Sequence, residues 1–236
     1  VSMIPTRKVL FAGLLLAAAA LALAAQDAVS LRVFPKAEES FKTKFTGTLS
    51  VMGMDVKASY TQTTTVLEIK EGVMTTEAGE ATGTLDVGGQ EMPFPEMGST
   101  KTHTKLDGTI KQIEGESASP DTYRMSAIST LFRPEGAVKP GDEWTWSAPA
   151  NSELGTRKTE GKYKLIAIEI VKDIATAKIT MDVKEVEGDL PASAKGTIWL
   201  NITNGMTMKS EMEIKNGPIP GSPEPVNVTL KTELII

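Results

Sequence analysis

The chain has no cysteine and a single histidine in 236 residues, and only 5% of it is aromatic. Without cysteine there is no disulfide, no thiol nucleophile, no thiolate-held metal and no cysteine-held iron–sulfur cluster. The acylated cysteine that tethers a bacterial lipoprotein is excluded on the same ground, so no covalent lipid anchor is expected. Stability must come from packing. A hydrolytic triad needs a base for its nucleophile, most often histidine. His103 stands in the polar stretch Thr100-Lys101-Thr102-His103-Thr104-Lys105 with no acidic motif beside it. It reads as a solvent-facing strand residue. Asp142 and Glu143 are adjacent in a turn and are expected to point into solvent. No P-loop, dinucleotide-binding glycine motif or His-x-x-x-His pair occurs. No catalytic residue, metal site or cofactor is therefore expected. Basic runs are missing too. The 25 Lys and Arg are interspersed with 30 Asp and Glu, for a net charge of −5. Nucleic acid needs a basic face, and anionic headgroups need a polybasic patch. The chain offers neither.

What is present begins at the N-terminus. Residues 3–25 run from a basic start (Arg7, Lys8) through an apolar stretch into alanine and leucine. Ala22-Leu23-Ala24 and Leu23-Ala24-Ala25 are A-x-A-like sites, and together these are the three regions of a secretory signal peptide. Residues 1–25 are read as that signal and 26–236 as one β-rich domain. The expected product is exported, periplasmic or extracellular, and soluble after cleavage. The alternative is an N-terminal membrane anchor. The uncharged run Val9–Ala25 has 17 residues, at the lower edge of a membrane span.

Beyond residue 26 the pattern is almost wholly period two. Ala175, Ala177, Ile179, Met181 and Val183 alternate with Thr176, Lys178, Thr180 and Asp182. Val226, Val228, Leu230, Leu234 and Ile236 alternate with Asn227, Thr229, Lys231 and Glu233. One dry face and one wet face mark an antiparallel sheet. Two β halves, about 29–114 and 138–236, flank a break in the pattern. There Ser119-Pro120-Asp121 supplies an N-cap, a proline at the first helical position and an acid in the first turn. Met125, Ile128 and Phe132 follow at helical spacing, which predicts a helix over about 120–132. The fold class is mainly β: a curled, half-barrel-like antiparallel sheet with one short helix. The alternative is a two-lobed β-sandwich.

Parity predicts hairpin registers, because a one-residue slip turns every apolar side chain into water. Leu49 should face Val56, and Leu85 should face Met92. Around Asn204-Gly205 a three-residue loop would pair Ile202 with Met206 and Leu200 with Met208, apolar on apolar, with Gly205 left-handed. The segment Thr46-Gly47-Thr48-Leu49-Ser50-Val51-Met52-Gly53 recurs 36 residues later as Thr82-Gly83-Thr84-Leu85-Asp86-Val87-Gly88-Gly89, matching at six of eight positions. Reuse of hairpin chemistry accounts for it better than a solenoid repeat, since the period does not continue.

Tryptophan and methionine supply the candidate ligand contacts. Trp144 and Trp146 share a strand face. Trp199 lies opposite Ile198, Leu200 and Ile202, so it either covers a second apolar surface or is exposed. Trp199, Leu200, Met206 and Met208 are the candidate ligand-binding residues. Met52, Met54, Met206, Met208 and Met212 lie at even spacings, and soft thioethers select Cu(I). Gap-filling in the core is the plainer role for them.

Val138-Lys139-Pro140-Gly141-Asp142-Glu143-Trp144 resembles a turn-strand motif of uncharacterised exported bacterial β-rich proteins. Lys195-Gly196-Thr197-Ile198-Trp199-Leu200-Asn201-Ile202-Thr203-Asn204-Gly205 looks like their recurring hairpin. The plan of long antiparallel strands plus a central helix is similar to the half-barrels of periplasmic lipoprotein-carrier and lipid-binding proteins. The likeness is one of architecture; the expected function is that of an exported, non-catalytic binding protein that holds a lipid or other apolar ligand on the concave sheet face. The alternative is a structural or protein-interaction module whose partner is an envelope protein.

Overall fold

The computed structural model describes residues 28–236 except 52, 221 and 223. The segment read as a signal peptide, and Met52 among the copper candidates, lie outside the described residues. Six strands precede the helix: β1 Ser40–Val51, β2 Met54–Lys70, β3 Val73–Val87, β4 Gln90–Pro93, β5 Thr100–Lys105 and β6 Ile110–Glu114. The helix α1 spans Pro120–Ser129. Six strands follow: β7 Glu143–Ala148, β8 Thr159–Val171, β9 Ile174–Glu185, β10 Ser193–Asn201, β11 Thr207–Gly217 and β12 Val226–Ile235.

All twelve belong to one antiparallel sheet ordered β6-β5-β3-β2-β1-β12-β11-β10-β9-β8-β7, with β4 also paired to β3. The two-lobed sandwich is thereby overturned. The last strand pairs with the first along Lys42–Ser50 and Asn227–Ile235, which joins the halves into one surface. The chain thus starts in the middle of the sheet, meanders to the β6 edge, crosses to the β7 edge and meanders back. The crossing holds one helix of 10 residues, about 15 Å long at 1.5 Å per residue. The crossing segment is bonded to both edges, and the sheet curls to bring them near each other. It does not close. Helix α1 and the extended segment after it fill the gap. The Arg133 amide donates to the Asp107 carbonyl on the β6 side at 2.7 Å. The Trp144 Nε1 of β7 donates to the Phe132 carbonyl at 2.8 Å.

Cross-strand partners face the same way, so the pairing register can be followed as rows across the whole sheet. One row is Trp144–Tyr163–Met181–Gly196–Met212 and continues Leu230–Gly47–Ala58–Leu85–Met92. The next is Trp146–Gly161–Val183–Ala194–Ile214 and continues Val228–Leu49–Val56–Val87. Apart from Gln90, the β4 partner of Val87 at the end of the second row, neither row contains a charged or amide side chain. Together they make an apolar belt on the face that carries the helix. The predicted pairs Leu49–Val56 and Leu85–Met92 are both present.

The repeated Thr-Gly-Thr-Leu segment has a structural meaning here. Gly47 and Gly83 both sit on the helix-bearing face. A Cβ at Gly47 would lie 2.6 Å from the Thr229 carbonyl oxygen, and one at Gly83 would run into the Ser59 carbonyl and the Tyr60 backbone. Glycine inside a strand marks a bend or a close backbone approach, and curled sheets use such kinks. The echo is a recurrence of bend chemistry.

Two expectations need correction. The helix stops at Ser129, not Phe132. Thr130 is extended, with φ −85° and ψ 140°. Leu131 and Phe132 are both buried core residues. Neighbours in sequence that must both be buried pack more readily from extended chain, whose side chains alternate, than from one helical turn. The second concerns the β10–β11 hairpin. Leu200 pairs with Thr207 after a bulge at Trp199/Leu200, and the Asn201 amide bonds the Met206 carbonyl at 2.8 Å. The connection is a four-residue loop, 202–205. Gly205 is left-handed as expected, with φ 69°. The side chain of Asn201 accepts from the Thr203 amide at 2.8 Å, and that of Asn204 accepts from the Met206 amide at 3.1 Å. Arg133 braces the loop, donating to the Gly205 carbonyl at 3.0 Å and the Val33 carbonyl at 2.7 Å. Burial pulls the Arg133 guanidinium down to about 10, so it stays charged at neutral pH.

Candidate functional site

The apolar belt is covered unevenly. Over β7–β11 the helix and the segment 130–138 lie on it. Tyr163, Met181, Val183, Ala194 and Ile214 are all less than 5% exposed. They share one core with Leu31, Ile128, Leu131 and Phe132. Past Met212 the same rows lose their cover. Leu230, Leu49, Val56, Leu85 and Val87 are only half-buried, and Met92 is 44% exposed. An aromatic stack borders this open part. Phe45 lies flat on Tyr60 with centroids 4.7 Å apart, and Phe94 tilts against Tyr60 at 4.3 Å. Burial by its neighbours raises the Tyr60 phenol. The open part of the belt carries no titratable side chain, so what it can do is hold apolar surface.

The helix is fixed to the filled half by a buried charge cluster. Arg124 of α1 forks onto Glu185 of β9, with Nε–Oε1 2.7 Å and Nη2–Oε2 2.8 Å. The Ala192 amide adds a bond at 2.9 Å and Arg157 an ion pair at 3.3 Å. Burial alone would raise the Glu185 carboxyl. The hydrogen bonds from Arg124 and Ala192 and the two guanidinium charges outweigh it and hold the carboxyl below the usual range. Sequence reasoning missed this cluster. Its only signal was an acid at the end of an apolar alternation, Val183 then Glu185.

A second concavity lies where the sheet edges meet. A slot of about 210 Å³ is walled by α1, by Thr109 and Ile110 at the start of β6, by Trp146 and Ala148 of β7, and by the loop through Asn151, Leu154 and Arg157. Phe132 stacks on Trp146 at its base, with ring centroids 3.4 Å apart. Burial strongly raises the phenol of neighbouring Tyr163.

The residues singled out in sequence are not brought together as one site. Leu200 belongs to the core beneath the helix. Trp199, Met206 and Met208 form a separate cluster with Leu234, packed by Phe41, Val171 and Ile174. Trp199 thus covers a second apolar surface and is 6% exposed. Its indole donates to Glu169, and the Lys209 ammonium sits 4.0 Å over the ring. The β8–β9 turn closes over this end, where Lys172 pairs with Glu233 at 2.7 Å. The Met206 and Met208 pair found a different cluster to fill, which is why apolar-on-apolar matching across the hairpin failed. The methionines do not form one set either, for Met54 is 57% exposed and Met212 packs on the main core.

His103 also departs from expectation. Its Nε2 lies 2.9 Å from Glu114 Oε1 and its Nδ1 3.1 Å from Thr75 Oγ1. The acid comes from β6, across the sheet, where no local motif could reveal it. Thr75 is 7% exposed, so its hydroxyl is shut off from a bulky substrate. Glu143 does face solvent, paired with Lys164 at 2.7 Å, whereas Asp142 caps its own turn through the Lys139 amide at 3.0 Å.

No family model matches the chain, and no curated protein matches it. Several solved structures are similar, three of which follow. A "putative exported protein with YmcC-like fold" from Bacteroides fragilis NCTC 9343 is 14% identical, with a TM-score of 0.35, covering 88% of this chain and 98% of its own. The hypothetical lipoprotein YmcC of Escherichia coli (K12) is 9% identical, with a TM-score of 0.31, covering 83% and 84%. A "putative lipoprotein" from Parabacteroides distasonis ATCC 8503 is 13% identical, with a TM-score of 0.32, covering 89% and 98%. At TM-scores below 0.5 none of these likenesses bears on what this chain does. Among the described residues no helix is long and apolar enough to cross a membrane.

Proposed function

We propose that the protein is an exported binding protein that holds an elongated apolar molecule, a lipid acyl chain above all, along the uncovered part of the belt, and does not transform it. One observation carries this reading. The belt is equally apolar across the whole sheet, yet the chain's own helix covers only the β7–β11 part. Soluble proteins rarely leave a large contiguous apolar patch bare unless something binds there. A smooth row of Leu, Val, Met and Ala suits an acyl chain, which presents apolar surface and asks for no directed hydrogen bond. The lack of any acid or base on the belt favours holding over reaction. The basic, apolar and small-residue regions of residues 3–25 support export.

Native mass spectrometry of protein purified from its own compartment tests the reading. The expected spectrum carries an additional lipid mass, absent from a Leu85→Glu variant whose circular dichroism is unchanged. A bare chain under gentle ionisation, with no uptake of a neutral lipophilic dye, would favour the envelope-interaction module instead.

A further inference from the structure

We infer that the slot between α1 and β7 is a second and separate binding site, selective for a small carboxylate with an apolar body, such as a medium-chain fatty acid or a one-ring aromatic acid. Its size fits. An engineered apolar cavity of about 150 Å³ takes up benzene, and this slot offers about 210 Å³. Its apolar lining is formed by Ala127, Phe132, Trp146, Ala148 and Leu154, with Ile110 and Pro149. Hydroxyl-bearing residues of α1 and its neighbours, such as Thr109, Ser126 and Thr159, also line it, while the loop after β7 adds Asn151, Thr156 and Arg157, the one charged residue of the lining.

Those groups are donors with capacity to spare. Arg157 uses only Nη1 on the protein, toward Glu185 at 3.3 Å and the Asp189 carbonyl at 3.0 Å. Among the described residues its Nε and Nη2 have no protein partner. Glu185 makes little demand on Arg157, because both its oxygens are already forked by Arg124 and one is bonded by Ala192. Asn151 spends its carbonyl oxygen on the Glu153 and Leu154 amides, and among the described residues its amide nitrogen has no partner. Thr156 brings a hydroxyl to the same rim. The chain carries 30 Asp and Glu, yet none lines the slot. A planar guanidinium with two free donors on one side is matched to a carboxylate. An alkane would leave Nε and Nη2 of Arg157 without an acceptor at the mouth, and an alcohol would offer them one neutral oxygen in place of a carboxylate's two.

Octanoate and 1-octanol are the discriminating probes, with the Trp146 indole resonance as the reporter of position. Octanoate is expected to move that resonance and to bind at least tenfold more tightly than octanol. Arg157→Gln should bring octanoate down to the level of octanol. Leu154→Trp, which fills the slot without touching the ion pairs, should block both. Equal binding of the two probes, binding of neither, or octanoate binding that survives L154W would overturn the inference. Loss of the slot would leave the belt reading standing, because a long neutral chain is expected to bind the L154W variant as it binds the wild type.

Discussion

β8 and β2 are long strands of the same sheet, and both turn an apolar row toward the helix-bearing face. On β8, Tyr163 and Leu165 are 2% and 0% exposed. On β2, Val56, Ala58 and Tyr60 all stay half-buried. Their alternation is the same, although β2 lies near the middle of the strand order and β8 one strand from its β7 edge. What lies above these two stretches differs; the far end of β2 is covered too and buries Val66 completely. The crossing segment runs from the β6 edge to the β7 edge, so it lands on β6 and on the second half of the sheet and leaves the rows over β12 and β1–β4 uncovered. Topology, not hydrophobicity, decides which part of the belt becomes core and which becomes surface.

The comparison can be broken hardest at the charge cluster that holds the helix down. Glu185→Gln strands the Arg124 fork in the interior, and removing one partner of a buried pair costs about 3 to 5 kcal/mol. Urea denaturation should show this as a large drop in midpoint. The pH dependence follows the same group. Its folded pKa lies below its unfolded one, so the stability it adds is complete above the unfolded carboxylate range. That stability drains away as pH falls through the folded value. Wild type should lose stability steeply in acid, and E185Q should show a flatter curve.

Equal truncations then measure the two halves directly. Leu165→Ala under the helix should cost about 2 to 5 kcal/mol, and Leu85→Ala on the open belt about 1 kcal/mol or less. Equal costs in denaturant titrations would mean that the open half is packed like the filled one. Gly83→Ala places a Cβ against the Ser59 carbonyl and should cost about 1 to 3 kcal/mol. Gly136→Ala, with nothing within 4 Å of the new atom, should be neutral or slightly stabilising. The smallest effect belongs to Glu143→Gln. Its exposed pair with Lys164 should leave the thermal midpoint unchanged, as exposed pairs contribute little.

Much of this architecture was legible in sequence because strand alternation and short-range turn chemistry are local. The N-cap Ser119 accepts from the Thr122 amide at 3.2 Å as its position foretold. The Pro140-Gly141 turn closes with the Asp142 amide on the Lys139 carbonyl at 3.0 Å. What stayed hidden depends on partners distant in sequence. Arg124 meets Glu185 across 61 residues. The β10–β11 register bends to a second cluster that needs Leu234 and the β8–β9 turn. The slot exists only where β6 and β7, the two ends of the sheet, come around to one place. Parity can predict which face a side chain takes, but not whether anything arrives to cover it.

Photolabelling with a long neutral alcohol bearing a diazirine, followed by peptide mapping, tests the uneven cover most directly. Labels concentrated on Leu49, Val56, Leu85, Met92 and Leu230 are expected. Labels on Ile179, Val183 and Ala194 beneath the helix, or no specific label at all, would contradict an apolar belt left open over β12 and β1–β4.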